Sequence, residues 1–302
     1  MVHGDLVSER ADVQSAQAVR DYLSLTKPGI VLWLLITAYC AMVVAGHGAP
    51  AWGLAVATMV GLGLSAAGAH AVNMWYDRDI DKLMGRTHAR PVPTGRIPAT
   101  TALRLGIAAE IVSIPILGLG ANWPTALWSM AGFLFYVLVY TFWLKRRTPQ
   151  NIVIGGAAGA VPPLVGWTAV SPHLAWAPVL MFLIIFLWTP PHFWALALYK
   201  QDDYRRAGVP MMPVARGART AKVQALAYTA ALGIASVALY ATHVVGVLYL
   251  MVAIVLGLGF LAIGVRLLAE RDGGHVWARH TFHYSLLYVV ALFLAMVVNV
   301  KP

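Results

Sequence analysis

The sequence predicts an all-α integral membrane protein in which nine transmembrane helices, two four-helix repeats and an appended ninth, surround a central cavity. Three observations predict it. The 302 residues are 60% hydrophobic and only 11% charged, with a mean hydropathy of +0.71, too apolar for an ordinary soluble domain. Nine apolar stretches reach the length a helix needs to cross the hydrocarbon. Nearly all Lys and Arg residues fall on one side of those stretches.

The first stretch, roughly 28–46, follows Arg10, Arg20 and Lys27 and contains Cys40. Because Cys40 is the only cysteine, disulfides and Cys-based metal sites are excluded, and the thiol reads as a small core residue. The second, 52–74, ends at Asn73 and feeds a polar loop, 75–100, carrying Asp77, Asp79, Asp81 and Arg78, Lys82, Arg86, Arg90 and Arg96. The third, 101–120, opens near Arg104 and holds Glu110, the one acid deep in a span, readable as a hydrogen-bonded helix contact or as a proton relay. The fourth, 123–144, runs into Lys145, Arg146 and Arg147, with Asn151 opening the fifth, 151–170. The sixth, 174–198, carries Pro190, Pro191 and His192 and leads to a second long loop, 199–221, with Asp202 and Asp203. The seventh, eighth and ninth are 222–242, 244–266 and 282–300. Aromatic residues such as Trp123, Trp128, Tyr136 and Tyr140 read as interfacial anchors or helix packing.

Sorting the 22 Lys and Arg residues by loop puts 21 on one side and only Lys301 on the other. The positive-inside rule then makes the N-terminus cytoplasmic and the C-terminus external, in the cytoplasmic (inner) membrane of a bacterium. No signal peptide is expected before Thr26, and residues 1–24 read as a polar cytoplasmic segment of one polytopic domain, 1–302. The formal charge of +10 is thereby explained by topology, lipid headgroups and candidate phosphate ligands, without nucleic acid. Loops on the outer side are short, whereas the two acidic loops follow helices 2 and 6. That placement suggests parallel four-helix repeats whose loops meet over one cavity.

Ionisable groups beside the hydrocarbon are costly and point to function. On a helix Asn73, Asp77 and Asp81 span an arc of about 80° on one face. Such a face suits Mg²⁺, which takes one or two carboxylates and completes its shell with phosphate oxygens and water. Asp79 points elsewhere and is expected to pair with Arg78, Lys82 or Arg86. Tyr199 and Asp203 repeat the four-residue spacing after helix 6, so two acidic faces could hold metals bridged by a diphosphate. Arg86, Arg90 and Arg96, in a loop punctuated by Pro and Gly, together with Lys145, Arg146 and Lys200, are candidate diphosphate ligands, since cationic side chains suit phosphate oxygens.

These motifs resemble a known family. Asn73-x3-Asp77-x3-Asp81 is similar to the first aspartate-rich motif of the intramembrane prenyltransferases of the UbiA superfamily. Leu25-Thr-Lys-Pro28, Tyr76-Asp-Arg-Asp-Ile-Asp81 with Arg86-Thr-x2-Arg90-Pro91, Tyr140-Thr-x2-Leu-Lys-Arg146, the Asn151 to Trp167 run, Trp188-x2-Pro-His-Phe193 and Asp203-Tyr-x3-Gly-Val-Pro-Met-Met-Pro213 narrow the resemblance to the branch that farnesylates haem. One departure from the wider superfamily is Tyr199-x3-Asp203 in place of Asp-x3-Asp, which looks typical of that branch.

The resemblance implies farnesyl diphosphate and haem B as substrates, Mg²⁺ as cofactor, and a haem A synthase or terminal oxidase assembly as partner. It implies Asp77, Asp81, Tyr199 and Asp203 as catalytic residues, with Asn73, Asp77, Asp81 and Asp203 around the metal. His192, where paired prolines are expected to break the helix, either holds haem or orients the carboxylates. His70 is a second haem candidate or a packed, satisfied helical histidine, and His275, His280 and His283 are candidates for haem propionates. A quinone-precursor prenyltransferase and a haem-handling transporter are the alternatives. The Asp-x2-Asp-Gly-x2-Ala-Arg spacing of phosphatidyl-alcohol transferases is absent.

Overall fold

The computed structural model describes residues 15–271 and 273–301, so Asp5, Glu9, Arg10 and Asp12 of the polar N-terminal segment lie outside the described residues. Among the described residues nine helices are long and apolar enough to span a membrane. They are α1 (Pro28–Ala45), α2 (Trp52–Tyr76), α3 (Ala99–Gly120), α4 (Trp123–Leu144), α5 (Asn151–Val170), α6 (Trp176–Tyr199), α7 (Ala218–Thr242), α8 (Val247–Ala269) and α9 (Val276–Val298). A further helix, 15–26, precedes α1. Each helix packs on its neighbour in sequence, and α9 closes the ring against α1 and α6. The extensive α2–α3 contact is matched by α6–α7, and each leading helix runs into an acidic loop, as expected of two four-helix units.

Without a hydrophobic force between helices in lipid, close packing comes from small residues. A side chain on Gly68 of α2 would begin 2.5 Å from the Gly106 carbonyl of α3, and one on Gly106 would begin 2.7 Å from the Gly68 carbonyl. Ser113 donates across the same seam to the Gly61 carbonyl at 2.8 Å. Glu110 is buried at this seam, beside Gly68, with neither carboxyl oxygen hydrogen-bonded. On the other flank a Cβ at Gly166 of α5 would overlap the Ala38 carbonyl of α1.

Two helices depart from uniform α geometry where they border the cavity. The second half of α4, Phe135–Leu144, is a π-helix, and α5 is interrupted at Val161 just before Pro162 and Pro163. Helix α6, in contrast, stays continuous through Pro190 and Pro191. The expected break beside His192 is therefore absent: packing on α5, α7 and α9 holds the segment helical although each proline forfeits one ladder bond. The ninth helix begins at Val276, six residues before the apolar stretch in the sequence, because its polar first turns are helical too.

At the end of the bundle opposite the acidic loops, the chain after α9 is tied to the α7–α8 connection by Gly246 N–H to Asn299 O at 2.8 Å and Lys301 N–H to Val244 O at 3.0 Å. At the acidic end, helix 15–26 is held down by Leu25, buried with Met74, Val92 and Ile97, and by Asp21, which accepts from Arg96 Nε at 2.8 Å.

Gly68→Val is expected to destabilise the protein by about 1–3 kcal/mol through overpacking of the α2–α3 seam. Thermal melting in detergent checks this, with Gly233→Ala, where nothing lies within 4 Å of an added Cβ, expected to melt like the parent.

Candidate active site

The site begins where α2 ends. Asp77 terminates the regular helix, yet Asp77 N–H still bonds Asn73 O at 2.9 Å and Asp81 N–H bonds Asp77 O at 2.8 Å. The helical register thus continues through the turn Arg78–Asp81, and Asn73, Asp77 and Asp81 share one face as the spacing predicts. All three are buried, Asp77 completely.

Buried carboxylates need partners, and cations arrive from three segments: before α1, the loop after α2 and the end of α4. Asn73 donates to Asp77 Oδ2 at 2.7 Å and to Thr141 Oγ1 at 3.1 Å, and accepts from Lys27 Nζ at 2.8 Å. Lys145 bonds Asp77 Oδ2, and Arg90 bonds Asp81 Oδ2 at 2.7 Å. The π turn, closed by Lys145 N–H to Tyr140 O, brings Thr141 and Lys145 together onto the end of α2. Burial works against the Lys145 ammonium, but the Asp77 carboxylate outweighs it and raises its pKa. Lys27 fares differently: desolvation, joined by repulsion from Arg90 and Lys145, lowers it to about 7. Its backbone is strained as well, at φ 51° and ψ 63° immediately before Pro28.

Arg146 and Arg96 turn away from the cavity. Arg146 grips Asp79 with two bonds of 2.7 Å, reaches the Tyr76 carbonyl at 3.0 Å and stacks over the Tyr76 ring at 4.7 Å. Its hydrogen bond keeps the Asp79 carboxyl below the usual range. Asp79 therefore pairs with Arg146 rather than with Arg78, Lys82 or Arg86, because the π turn carries Arg146 across to it. Arg96 is committed to Asp21 and the Ala89 carbonyl, so the expected three-arginine loop supplies two residues, Arg86 and Arg90, to the cavity.

The second motif departs from the expected helical spacing. Helix α6 stops at Tyr199, Lys200 is non-helical, and a separate helix covers Gln201–Arg206. Asp203 N–H bonds the Lys200 carbonyl at 3.1 Å, so Tyr199 and Asp203 do not share a continuous helical face. Burial of Tyr204 among Ile80, Met84, Trp194 and Met211 pulls this segment out of line with α6. Tyr199 lies beneath Arg279, 5.8 Å from its ring centre, and Lys200 is exposed and off the cavity wall. Asp203 pairs with Arg206 and faces Gly85, whose missing Cβ would lie 3.5 Å from Asp203 Oδ1. The two acidic loops therefore meet, as the repeat predicts.

Beneath them is a cavity of about 740 Å³, well within the range of small-molecule sites. Lys27, Asn73, Asp81, Arg86, Arg90 and Lys145 line its charged end, and apolar residues of several helices line the rest. On the α6 wall His192 is sandwiched between Trp188 at 4.4 Å and Phe282 at 4.6 Å. Its Nδ1 lies 2.7 Å from Ser285 Oγ, and that hydroxyl donates to Phe282 O at 2.6 Å. Having spent its one proton, the serine oxygen accepts from Nδ1–H, which leaves Nε2 with its lone pair. His192 bonds a serine and no carboxylate, so the orienting role is overturned. His70 lines the cavity with its ring edge-on to Tyr136 at 5.3 Å, and neither nitrogen is hydrogen-bonded, so it is packed but not satisfied. Lys27 and Ser285 escaped the sequence reading. Lys27 was read as a topological charge and as part of the Leu25-Thr-Lys-Pro28 motif, without a role in the site; nothing in the sequence pointed to Ser285.

Among the described residues no group of three His, Cys, Asp or Glu side chains forms a metal cage. Buried Asp77 Oδ1 and Asn151 Oδ1 nevertheless lack hydrogen-bond partners. This donor set fits a hard cation completed by phosphate oxygens rather than one held by protein alone.

A helical ring around an apolar cavity, with acidic loops and lysines at one end, is the architecture of an intramembrane site for a molecule with an apolar body and an anionic head. The model of the UbiA prenyltransferase family matches residues 34–287, and the chain belongs to that family. It is 56% identical over 291 residues to the protoheme IX farnesyltransferase of Symbiobacterium thermophilum, covering 96% of this chain and 97% of that relative. Among solved structures it shares the fold of a digeranylgeranylglyceryl phosphate synthase, with a TM-score of 0.79 at 18% identity over 94% of this chain and 98% of that one. It also shares the fold of a UbiA homolog from Archaeoglobus fulgidus bound to DMAPP and Mg²⁺, with a TM-score of 0.65 at 19% identity over 92% and 99% of the two chains.

Lys145→Met leaves the fully buried Asp77 carboxylate without its main counter-charge and is expected to cost about 3 kcal/mol. Adding Asp77→Asn should recover most of that loss in thermal melts, because the uncompensated charge is then gone. The Asp21–Arg96 pair gives a pH dependence. The Arg96 hydrogen bond lowers the Asp21 pKa from 3.8, so its contribution is present above that value and is lost as pH falls through the lowered one. Hydrogen exchange should find the amides of helix 15–26 protected at neutral pH and released as acid protonates Asp21. Arg96→Met should remove most of that protection at neutral pH.

Proposed function

We propose that this protein transfers the farnesyl group of farnesyl diphosphate to a vinyl group of haem B, with addition of water, giving haem O. The observation that carries the reading is a single cavity with two unlike poles. One is a buried carboxylate face neutralised by lysine and arginine, and the other is an aromatic wall holding a histidine with a free Nε2. The 56% identity to a protoheme IX farnesyltransferase over nearly the whole chain supports it.

In this reading Lys27, Lys145, Arg86 and Arg90 bind the diphosphate, and their positive charge stabilises negative charge developing on the leaving group. Asn73, Asp77, Asp81 and Asp203 would hold Mg²⁺ through the diphosphate. When bound, Mg²⁺ neutralises phosphate charge and assists departure of the leaving group. Arg146 fixes Asp79 and the end of α2, and Tyr199 with Lys200 flanks the mouth. The apolar walls take the farnesyl chain and keep bulk water from the allylic cation. His192, oriented by Ser285 and clamped by Trp188 and Phe282, presents Nε2 to the haem iron, with the vinyl group directed at the farnesyl carbon that leaves the diphosphate. The substrates enter from the bilayer of a bacterial cytoplasmic membrane, with the charged end on the cytoplasmic side. The product passes to a haem A synthase or terminal oxidase assembly.

The test is conversion of haem B and labelled farnesyl diphosphate by the full chain in vesicles, read by mass spectrometry. Haem O should form only with Mg²⁺ present. Asp77→Ala and Asp203→Ala should each lower the rate by at least about a hundredfold while the protein still inserts, the scale set by loss of a main electrostatic contributor. Label appearing only in a hydroxybenzoate, or full activity in either variant, contradicts the assignment.

A further inference from the structure

The cavity carries a polar patch that neither the diphosphate nor the His192 wall uses. His70 sits on α2 one turn before Asn73, a rise of about 4.5 Å, so it lies on the hydrocarbon side of the diphosphate end. It is 5% exposed, and both Nδ1 and Nε2 lack hydrogen-bond partners. Ser129, on α4 two turns before Tyr136, is 3% exposed, lines the same cavity, and its Oγ also has no partner. Buried polar atoms are hydrogen-bonded as a rule, so these orphaned atoms call for a hydrogen-bonding guest.

The surroundings limit what that guest is. The residues of α2 and α4 that line the cavity on the hydrocarbon side of His70 include Ser65, Ala66, Ala69, Gly132, Phe133 and Tyr136, small or aromatic, while the cations Lys27 and Arg90 stand at the charged end and are taken up by the diphosphate. A small neutral molecule fits, and water is the one that the reaction consumes. A neutral imidazole offers one N–H and one lone pair, so it both orients a water and accepts its proton. His192 is not available for this, since its Nδ1–H is committed to Ser285 and, in the farnesyl-transfer reading, its Nε2 faces the haem iron. Glu110 lies in the α2–α3 seam, off the cavity wall.

We propose that His70, assisted by Ser129, holds the water that ends the reaction and acts as its general base. The proposal rests on the farnesyl-transfer reading. After the terminal vinyl carbon has bonded to farnesyl, the inner vinyl carbon is a cation. A lone pair of the water forms the new C–O bond, one O–H bond breaks with its electron pair remaining on oxygen, and the proton passes to the imidazole lone pair. The imidazolium later releases that proton to solvent at the cavity mouth. The balance is haem B, farnesyl diphosphate and water in, and haem O, diphosphate and one proton out.

The test uses the full chain with haem B, farnesyl diphosphate and Mg²⁺ in ¹⁸O-labelled water, reading products by mass spectrometry and diphosphate release in parallel. His70→Gln keeps hydrogen bonding without basicity, and His70→Leu removes both. Each should lower the ratio of haem O to diphosphate by at least about tenfold, at the modest end of general-base contributions. A farnesylated haem lighter by one water, from proton loss by the uncaptured cation, should accumulate. Ser129→Ala should shift the product ratio in the same direction by a smaller factor. Unchanged product ratios in Ser129→Ala and in the His70 variants overturn the proposal, and Ser129→Ala alone decides it where the His70 variants do not fold. A changed absorption spectrum of bound haem B in His70→Gln with the product ratio intact also overturns it, since the ring is then an iron ligand. If the parent protein itself makes no haem O, the functional reading has failed instead.

Discussion

The arrangement rests on neutralising buried carboxylates at the end of an apolar bundle. Asp77 is fully buried and Asp81 nearly so, and an uncompensated charge there costs several kcal/mol. Compensation comes from Lys27 through Asn73, from Lys145 and Arg146 on Asp77, and from Arg90 on Asp81. Because these cations sit before α1, after α4 and in the loop after α2, one electrostatic requirement fixes the ends of three spans relative to each other. The same surplus of positive charge makes that end of the cavity receptive to a polyanion.

The helices deliver this network by departing from ideality where needed. The π turn in α4 aims Thr141 and Lys145 at Asn73 and Asp77 and Arg146 at Asp79, a local rearrangement that such turns commonly serve at functional sites. Strain at Lys27 places an ammonium over Asn73. Close approach at Gly68–Gly106 and Gly166–Ala38 keeps the ring rigid around the cavity. On the far wall Ser285 links α9 to α6 twice, through its backbone carbonyl to Trp188 Nε1 at 2.6 Å and through its hydroxyl to His192. One residue thus sets both the aromatic clamp and the histidine tautomer.

Much of the fold was legible because hydropathy and charge act locally along the chain. The stretch 52–74 became Trp52–Tyr76 and 123–144 matched Trp123–Leu144, since lipid permits only helix there. The first acidic face was legible for the same reason, as helical spacing alone aligns Asn73, Asp77 and Asp81. The second was not, because burial of Tyr204 overrides the spacing and breaks the chain at Lys200. Asp79–Arg146 and His192–Ser285 join residues 67 and 93 positions apart, and such pairs depend on how each helix is rotated. A π turn and a proline pair that leaves its helix unbroken shift those rotations without a signature in hydropathy.

The central claim is that this end of the cavity becomes a metal site only when a diphosphate completes it. Replacing Mg²⁺ with Mn²⁺ and titrating by electron paramagnetic resonance, with and without a non-hydrolysable farnesyl diphosphate analogue, tests this most directly. Weak Mn²⁺ binding alone, and tight binding with phosphorus couplings once the analogue is added, is the result the account predicts. Mn²⁺ bound equally tightly without the analogue, or without phosphorus couplings in its presence, would contradict it.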